Sequence, residues 1–432
     1  MRIRTLFLAV AGACRAGPPS GPDGTALDPV ARRYVELVLS LGRHDPNYVD
    51  AYYGPDSLKT AAEHEALDVP RIQAAAESLI AKLGDGTPAY PDSLERLRHR
   101  YLRTQLGALV ARARMLSGER LGFDEEARAL YGASPPHYTD AHFDSLLDRL
   151  DSLLPGPGPL ARRYQSFRAR LLIPTERVDT VFRTAIAECR ARTLAHLALP
   201  ANERFELAYV TDTPWNAYNW YKGDYHSLIQ INRDFPIPLD RAIDLACHEG
   251  YPGHHVYNAR LEDALVRGRG WVELSVYPLF SPQSFIAEGS ANHGIDMAFP
   301  GPERTAYERD VLSALAGLDP ALVERNAGVR AVMERLNYAR NEVARRYLDG
   351  EVDSARAVEL LERYWLIPPD EAAKTLRFIQ TYRSYVINYN LGRDMVAAWV
   401  EREGGGSDDG RWRAFGALLS SPRLPQDLEP TH

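Results

Sequence analysis

The sequence predicts a mainly α-helical protein, with one small β-sheet lying beside the helix that carries the chemistry. Three observations predict it. Apolar residues recur near a 3.6-residue period through most of residues 28–419. Only residues 205–232 depart from it, with two short β-rich runs, FELAYV and YHSLIQIN, separated by Trp, Asn, Pro and Gly. And DLACHEGYPGHHVYNARL, residues 244–261, places three histidines and a glutamate within eight residues at the end of a predicted helix.

The first helix opens at Asp28 and Pro29 and sets Val30, Tyr34, Leu37 and Val38 on one face. Helical runs follow at 70–83, 92–117, 124–131, 139–153 and 160–172, and Pro174 and Thr175 open another over 175–198. PGPGP at 155–159 marks a loop. After the strand region, helical patterning resumes near Pro238 and runs to about 419, with breaks at 299–302, 318–320 and 367–369. No internal repeat interrupts it. A chain of 432 residues, 45% hydrophobic and 25% charged, can bury one large core or two smaller ones. The expected organisation is a signal peptide and linker over 1–27, a helical body over 28–420 and a tail over 421–432. The body divides into an N-terminal helical part (28–200) and a catalytic part (201–420).

Two arginines, a short apolar run and small residues open the chain, followed by a Pro/Gly/Ser linker. That is a secretory signal pattern, too short to span a bilayer. AGAC at 11–14 resembles a lipoprotein box with Ala where Leu is usual. The expectation is therefore export, with the protein in the periplasm or anchored to the membrane through a lipid on Cys14. A net charge of −7 gives no electrostatic footprint for nucleic acid. Cys14, Cys189 and Cys247 are too few for a disulfide framework and too scattered for a cysteine zinc site, so Cys247 reads as a small buried neighbour of His248.

The decisive stretch is unusual in its spacing. A zinc-hydrolase helix carries His-Glu-x-x-His, with both histidines on one face and the glutamate taking a proton from the metal's water. Here the residue four after His248 is Pro252. Proline cannot donate to the carbonyl of residue 248, so the helix must break or bulge, and Gly253 supplies the freedom to do so. On a straight helix His255 would lie about 10 Å along the axis from His248, too far to share one ion. If residues 250–253 bulge out and helix resumes near His254, a two-residue insertion brings His254 to the place of the second ligand. His255 is the second choice for that place, or a group facing substrate. The blander reading is a histidine-rich helix end.

A third ligand is expected downstream. In SPQSFIAEGSANHGIDMAF, Glu288 begins a helical face with Asn292 and Ile295, so Glu288 can reach a metal while Asn292 orients another ligand. Glu262, Asp263 and Glu273 compete, the first two expected to point to solvent. His293 reads as a pocket or core residue.

His-Glu-x-x-Pro-Gly-His-His, the Ile-Asn strand upstream and Glu-Gly-x-Ala downstream resemble a bacterial family long labelled only as a domain of unknown function. That family is similar to the helical gluzincin zinc metallopeptidases, which include oligopeptidases and the carboxypeptidase Taq type. The resemblance spans roughly residues 28–420 through about four short motifs. It implies a large helical metallopeptidase-like fold and Zn²⁺ held by His248, His254 and Glu288. Where the family tends to have Trp and Tyr after Glu-Gly, this chain has Ser290 and His293.

Tyr382, Tyr385 and Tyr389 share one helix face, and Tyr389 with Gly392 resembles the family's C-terminal Tyr-x-x-Gly. The resemblance implies that a tyrosine here, Tyr389 or Tyr385, donates to the oxyanion; an aromatic core stripe is the alternative. Arg383 or Arg393 is a candidate for a substrate carboxylate. YHSLIQIN is expected to run as an edge strand that pairs with an extended peptide, with Asn232 contacting substrate; His226 reads as structural or surface. The expected function is a zinc-dependent peptidase with Glu249 as general base. A non-catalytic metal- or ligand-binding envelope protein, or a metal hydrolase of a non-peptide amide or ester, stays open.

Overall fold

The computed structural model describes residues 26–430 apart from 87, 89, 214–216 and 235. The N-terminal expectations, the signal peptide and Cys14 among them, lie outside the described residues. The protein is mainly helical, with a small sheet beside the motif helix. Helix starts follow the sequence chemistry. Asp68, Asp92, Asp319 and Asp353 each cap a helix by accepting from a backbone N–H two or three residues on, at 2.8–3.0 Å.

Several elements were not expected: the helix Asp56–Glu65, the strand Ala217–Tyr221 in the stretch read as a separator, and a second, two-stranded sheet. Val49–Tyr52 (β1) pairs antiparallel with Val276–Pro278 in a sheet distinct from the main one. The main sheet contains Arg204–Val210 (β2), Ala217–Tyr221 (β3) and His226–Asn232 (β4), in the order β2-β4-β3; Val276–Pro278 is β5. β4 is therefore the central strand of its sheet and not an edge. It runs parallel to β2 and antiparallel to β3. The two edges of this sheet are β2 and β3. In the β1–β5 ladder the register shifts between Val49 and Ala51, which makes Asp50 the bulged residue.

The helix Pro282–Ala298 runs through the interior. Of its residues only Asn292 and Asp296 are not buried. It packs most heavily on Ile387–Gly404. The two cross so closely that a Cβ on Gly289 would lie 2.5 Å from the Gly392 carbonyl carbon. Glycine at both positions thus sets the distance between Glu288 and the tyrosine helix. Beyond residue 420 the chain is still packed, with Leu424 and Leu428 buried. Cys189 and Cys247, both fully buried, form a disulfide that ties Val178–Leu194 to the residue before His248. The scattered cysteines concealed this pairing, because its partners lie 58 positions apart.

Candidate metal centre

The motif folds as a bulged helix. Asp240–Leu245 is α-helical, and Ala246–Gly250 continues as a π-helical turn closed by Tyr251 N–H donating to Ala246 O at 3.2 Å. Gly253 N–H then donates to Cys247 O at 2.9 Å, and helix resumes over His254–Leu261. Glycine is required at 253, since a Cβ there would sit 1.9 Å from the His248 carbonyl oxygen.

The bulge brings His248 and His254 together, with their Nε2 atoms 3.1 Å apart. Glu288 Oε2 lies 3.3 Å from His248 Nε2 and 3.7 Å from His254 Nε2. A tetrahedral zinc site with ligands at about 2.1 Å spaces its donor atoms about 3.4 Å apart. The three separations bracket that value. Glu288 Oε2 is buried and has no hydrogen-bond partner among the described residues, as a lone pair held for a cation would be. The donor set therefore fits a zinc ion. A carboxylate oxygen of Glu249 and the imidazole nitrogens of His248 and His254 also fall within 4.8 Å of one another.

The surroundings orient these donors. His248 Nδ1 donates to Asn292 Oδ1 at 3.2 Å, which leaves the lone pair on Nε2 facing the centre. Asn292 in turn donates to Tyr389 O at 3.1 Å. Tyr385 OH donates to Glu288 Oε1 at 2.7 Å. Asn219 on β3 donates to the backbone carbonyl of Glu249 at 2.6 Å. Burial opposes a charge on His254, but the carboxylates of Glu288, Glu249 and Asp50 outweigh it and raise its pKa to about 9. Burial likewise works against ionised Glu288, and the two imidazoles reverse this, holding its carboxyl well below the usual range.

These groups open into a cleft of about 1030 Å³. Tyr385 and Tyr389 line it, as do all five residues of β3. Three expected substrate groups do not. His255 is fully buried on the other side of its helix turn, between Ser227 Oγ at 2.9 Å and Glu203 Oε2 at 2.9 Å. Adjacent residues on a helix point about 100° apart, so His254 and His255 cannot both face one centre. Asn232 is buried and spends its amide on Thr213. Arg383 is engaged by Glu126, away from the cleft. Arg393 does line the cleft but is paired with Asp296 at 2.8 Å. His226 lies 3.3 Å from Glu206. His293 is buried against Phe415.

The competing carboxylates are occupied too. Glu262, expected at the surface, is buried and accepts from Asp224 N at 3.1 Å and from Arg267 at 2.7 Å. Asp263 accepts from Tyr225 OH at 2.9 Å, and Glu273 is fully buried against Arg98.

Sequence reading missed much of the cleft wall, and two of the missed residues bear on its chemistry. Asp50 reaches the cleft because the β1 bulge re-aims it. Burial, with the like charges of Glu288 and Glu249 and against the pull of His254, raises its carboxyl to about 7. No local pattern marks a four-residue strand carrying one acid. Arg340 is the other; it sits on Tyr338–Leu348, where it reads as an ordinary helix-surface arginine.

No protein-family model and no curated protein matches the chain. Solved structures do. A "putative lipoprotein" from Colwellia psychrerythraea superposes with TM-score 0.54 at 15% identity, over 95% of this chain and 76% of that one. At that identity the likeness shows fold alone. Metallocarboxypeptidase 1 of Trypanosoma cruzi matches at TM-score 0.41 and 14% identity, over 91% and 89% of the two chains. A carboxypeptidase of Deinococcus radiodurans matches at 0.38 and 15%, over 93% and 92%. These last two are too distant in shape to carry any argument.

Proposed function

We propose that this protein is a zinc-dependent peptidase of the cell envelope, with the ion held by His248, His254 and Glu288. One observation carries the reading: two imidazole nitrogens and a carboxylate oxygen converge to 3.1–3.7 Å at the wall of a large cleft, with the Glu249 carboxylate beside them. When bound, zinc supplies Lewis-acid polarisation of a carbonyl and makes water more acidic.

The chain's own residues supply the rest. Glu249 takes a proton from the attacking water and delivers it to the departing nitrogen as the C–N bond breaks. Tyr389 lines the cleft, and its hydroxyl makes no hydrogen bond among the described residues, so it is free to donate to the developing oxyanion. Tyr385 instead fixes Glu288 through its second oxygen. The open edge of β3 runs along the cleft and offers backbone groups to an extended peptide. For the envelope location, the support is the signal-like N-terminus and the lipoprotein description given to the Colwellia structure. No helix among the described residues is long and apolar enough to cross a membrane.

The test measures zinc per chain and digestion of a mixed oligopeptide pool, with and without chelator, for the parent and Glu249→Gln. The expectation is one zinc in both and hydrolysis reduced by about 10²- to 10⁴-fold in the variant. Hydrolysis unchanged in Glu249→Gln removes the base role. A zinc-loaded parent that cleaves no peptide removes the peptidase reading.

A further inference from the structure

The arginines along the cleft differ in how their charge is met. Arg241 pairs with Asp244 at 3.1 Å, Arg330 with Glu308 at 2.8 Å and Arg393 with Asp296 at 2.8 Å. Arg304 lies between Asp244 and Glu308, at 2.6 and 2.8 Å. Arg335 has no carboxylate but is exposed, and water serves it.

Arg340 is different. Its guanidinium forms no ion pair and no hydrogen bond among the described residues, and its Nε is buried with nothing to donate to. What it does contact is aromatic. The guanidinium carbon lies 5.0 Å from the centre of the Trp365 ring and 5.1 Å from that of Tyr389. Ring faces attract a cation but accept no directional hydrogen bond of the strength a carboxylate gives. Burial accordingly lowers its pKa to about 10, against the opposing pull of Tyr389 and Glu288. Arg340 as a whole is half-buried, and it is the fully buried Nε, left without an acceptor, that is costly until an anion entering the cleft reaches the guanidinium.

Its position says where that anion belongs. Tyr389, on which it stacks, is joined to His248 through Asn292, at 3.1 and 3.2 Å. Arg340 is thus one aromatic ring away from the residues that fix the centre. Phe378 continues the aromatic surface, 6.4 Å from Tyr389 between ring centres, and it too lines the cleft.

We infer that Arg340 is a specificity-determining residue that binds a carboxylate of the substrate, on a residue whose apolar side chain packs against the wall of Trp365, Tyr389 and Phe378. The inference rests on the peptidase reading for its meaning, though not for its test. Two sources could supply the carboxylate: the free C-terminus of a peptide, or an acidic side chain near the cleaved bond. A planar fork with free donors suits either, through two parallel hydrogen bonds.

The first experiment needs no turnover. Binding of N-acetyl-phenylalanine and of its C-terminal amide to the metal-free protein is followed by tryptophan fluorescence, for the parent, Arg340→Gln and Arg340→Lys. The parent should prefer the acid by about 10- to 100-fold. In Arg340→Gln that ratio should fall to near unity, and Arg340→Lys should restore part of it. Equal affinity of the parent for acid and amide overturns the inference, and that comparison stands even if a variant fails to fold.

The second experiment uses zinc-loaded protein and three forms of one peptide: free C-terminus, amidated, and amidated with an internal Glu. Selective cleavage of the free acid, lost in Arg340→Gln, identifies the terminus as the source. Selective cleavage of the Glu-containing amide, lost in the same variant, identifies the side chain. Selectivity that survives Arg340→Gln overturns the inference. If the parent cleaves nothing yet binds the acid selectively, the peptidase reading fails and the carboxylate site stands.

Discussion

Glu203 is the residue whose removal should test most directly how the bulge is held. Its side chain is almost entirely buried and faces three donors. Tyr251 OH donates to it at 2.7 Å from within the bulge, and His255 Nε2 at 2.9 Å from the first turn beyond it. The third is the half-exposed Arg190. In Glu203→Ala the two buried donors are left unmet, at about 1–3 kcal/mol each, and the ion pair adds no more than about 1 kcal/mol. The sum is about 4 kcal/mol. With an unfolding entropy of about 2.1 cal/mol/K per residue, a chain of 432 residues should melt about 4–5 °C lower. His254 sits between these two anchored residues, so zinc affinity, read by competition with a chelating dye, should weaken by about tenfold. Glu203→Gln keeps the volume and one acceptor and should lose roughly half as much. A Glu203→Ala protein that melts within about 1 °C of the parent and binds zinc as tightly would refute the argument that this carboxylate secures the bulge.

Other predictions follow from the same geometry. Asn292→Ala removes the acceptor that fixes the His248 tautomer and should weaken zinc binding by about 10- to 100-fold with little change in melting; a dye-competition titration checks it. The Cys189–Cys247 disulfide encloses 58 positions, which by chain entropy is worth about 4 kcal/mol, so the Cys189→Ala/Cys247→Ala protein should show a clearly lower urea midpoint. For Glu203, burial pushes the carboxyl up, but hydrogen bonds from His255, Tyr251 and Arg190 outweigh it and hold the pKa at about 2, below the usual 4.5. A depressed carboxylate contributes fully above the unfolded value and is lost as pH falls through the folded one. Stability of the parent should therefore fall between about pH 4.5 and 2 more steeply than that of Glu203→Gln, as urea titrations across that range would read. Gly253→Ala, whose Cβ would collide with the His248 carbonyl, should yield little soluble protein or a fold with no high-affinity zinc binding.

The helices were legible because their apolar spacing and their Asp and Pro starts are local signals, and the bulge was legible because Pro252 forbids a straight helix. What stayed hidden depends on distant partners. β1 is four residues long and pairs with residues more than two hundred positions away, so neither it nor the aim of Asp50 could be read from neighbours. Arg340 looked ordinary because nothing in its own helix says that Trp365 and Tyr389 will flank it. His255 misled through adjacency: next to His254 in sequence, it is turned by the helix into the interior. A sheet edge was placed on the wrong strand, since alternation shows that a strand exists and not which neighbour covers it.

The contact between Gly289 and Gly392 has a bearing on how this scaffold could be altered. With no side chains between them, the two helices are locked into one plank that carries an expected ligand on one side and the cleft tyrosines on the other. Shape changes in the cleft must come from parts less firmly fastened to it, chiefly the β3 edge and the turns that flank it, because the helix bearing Arg340 is tied to the plank by the paired amides of Asn341 and Asn390 at 2.9 and 3.1 Å. Efforts to redirect selectivity should vary those walls; diversity introduced along the plank would be spent on folding.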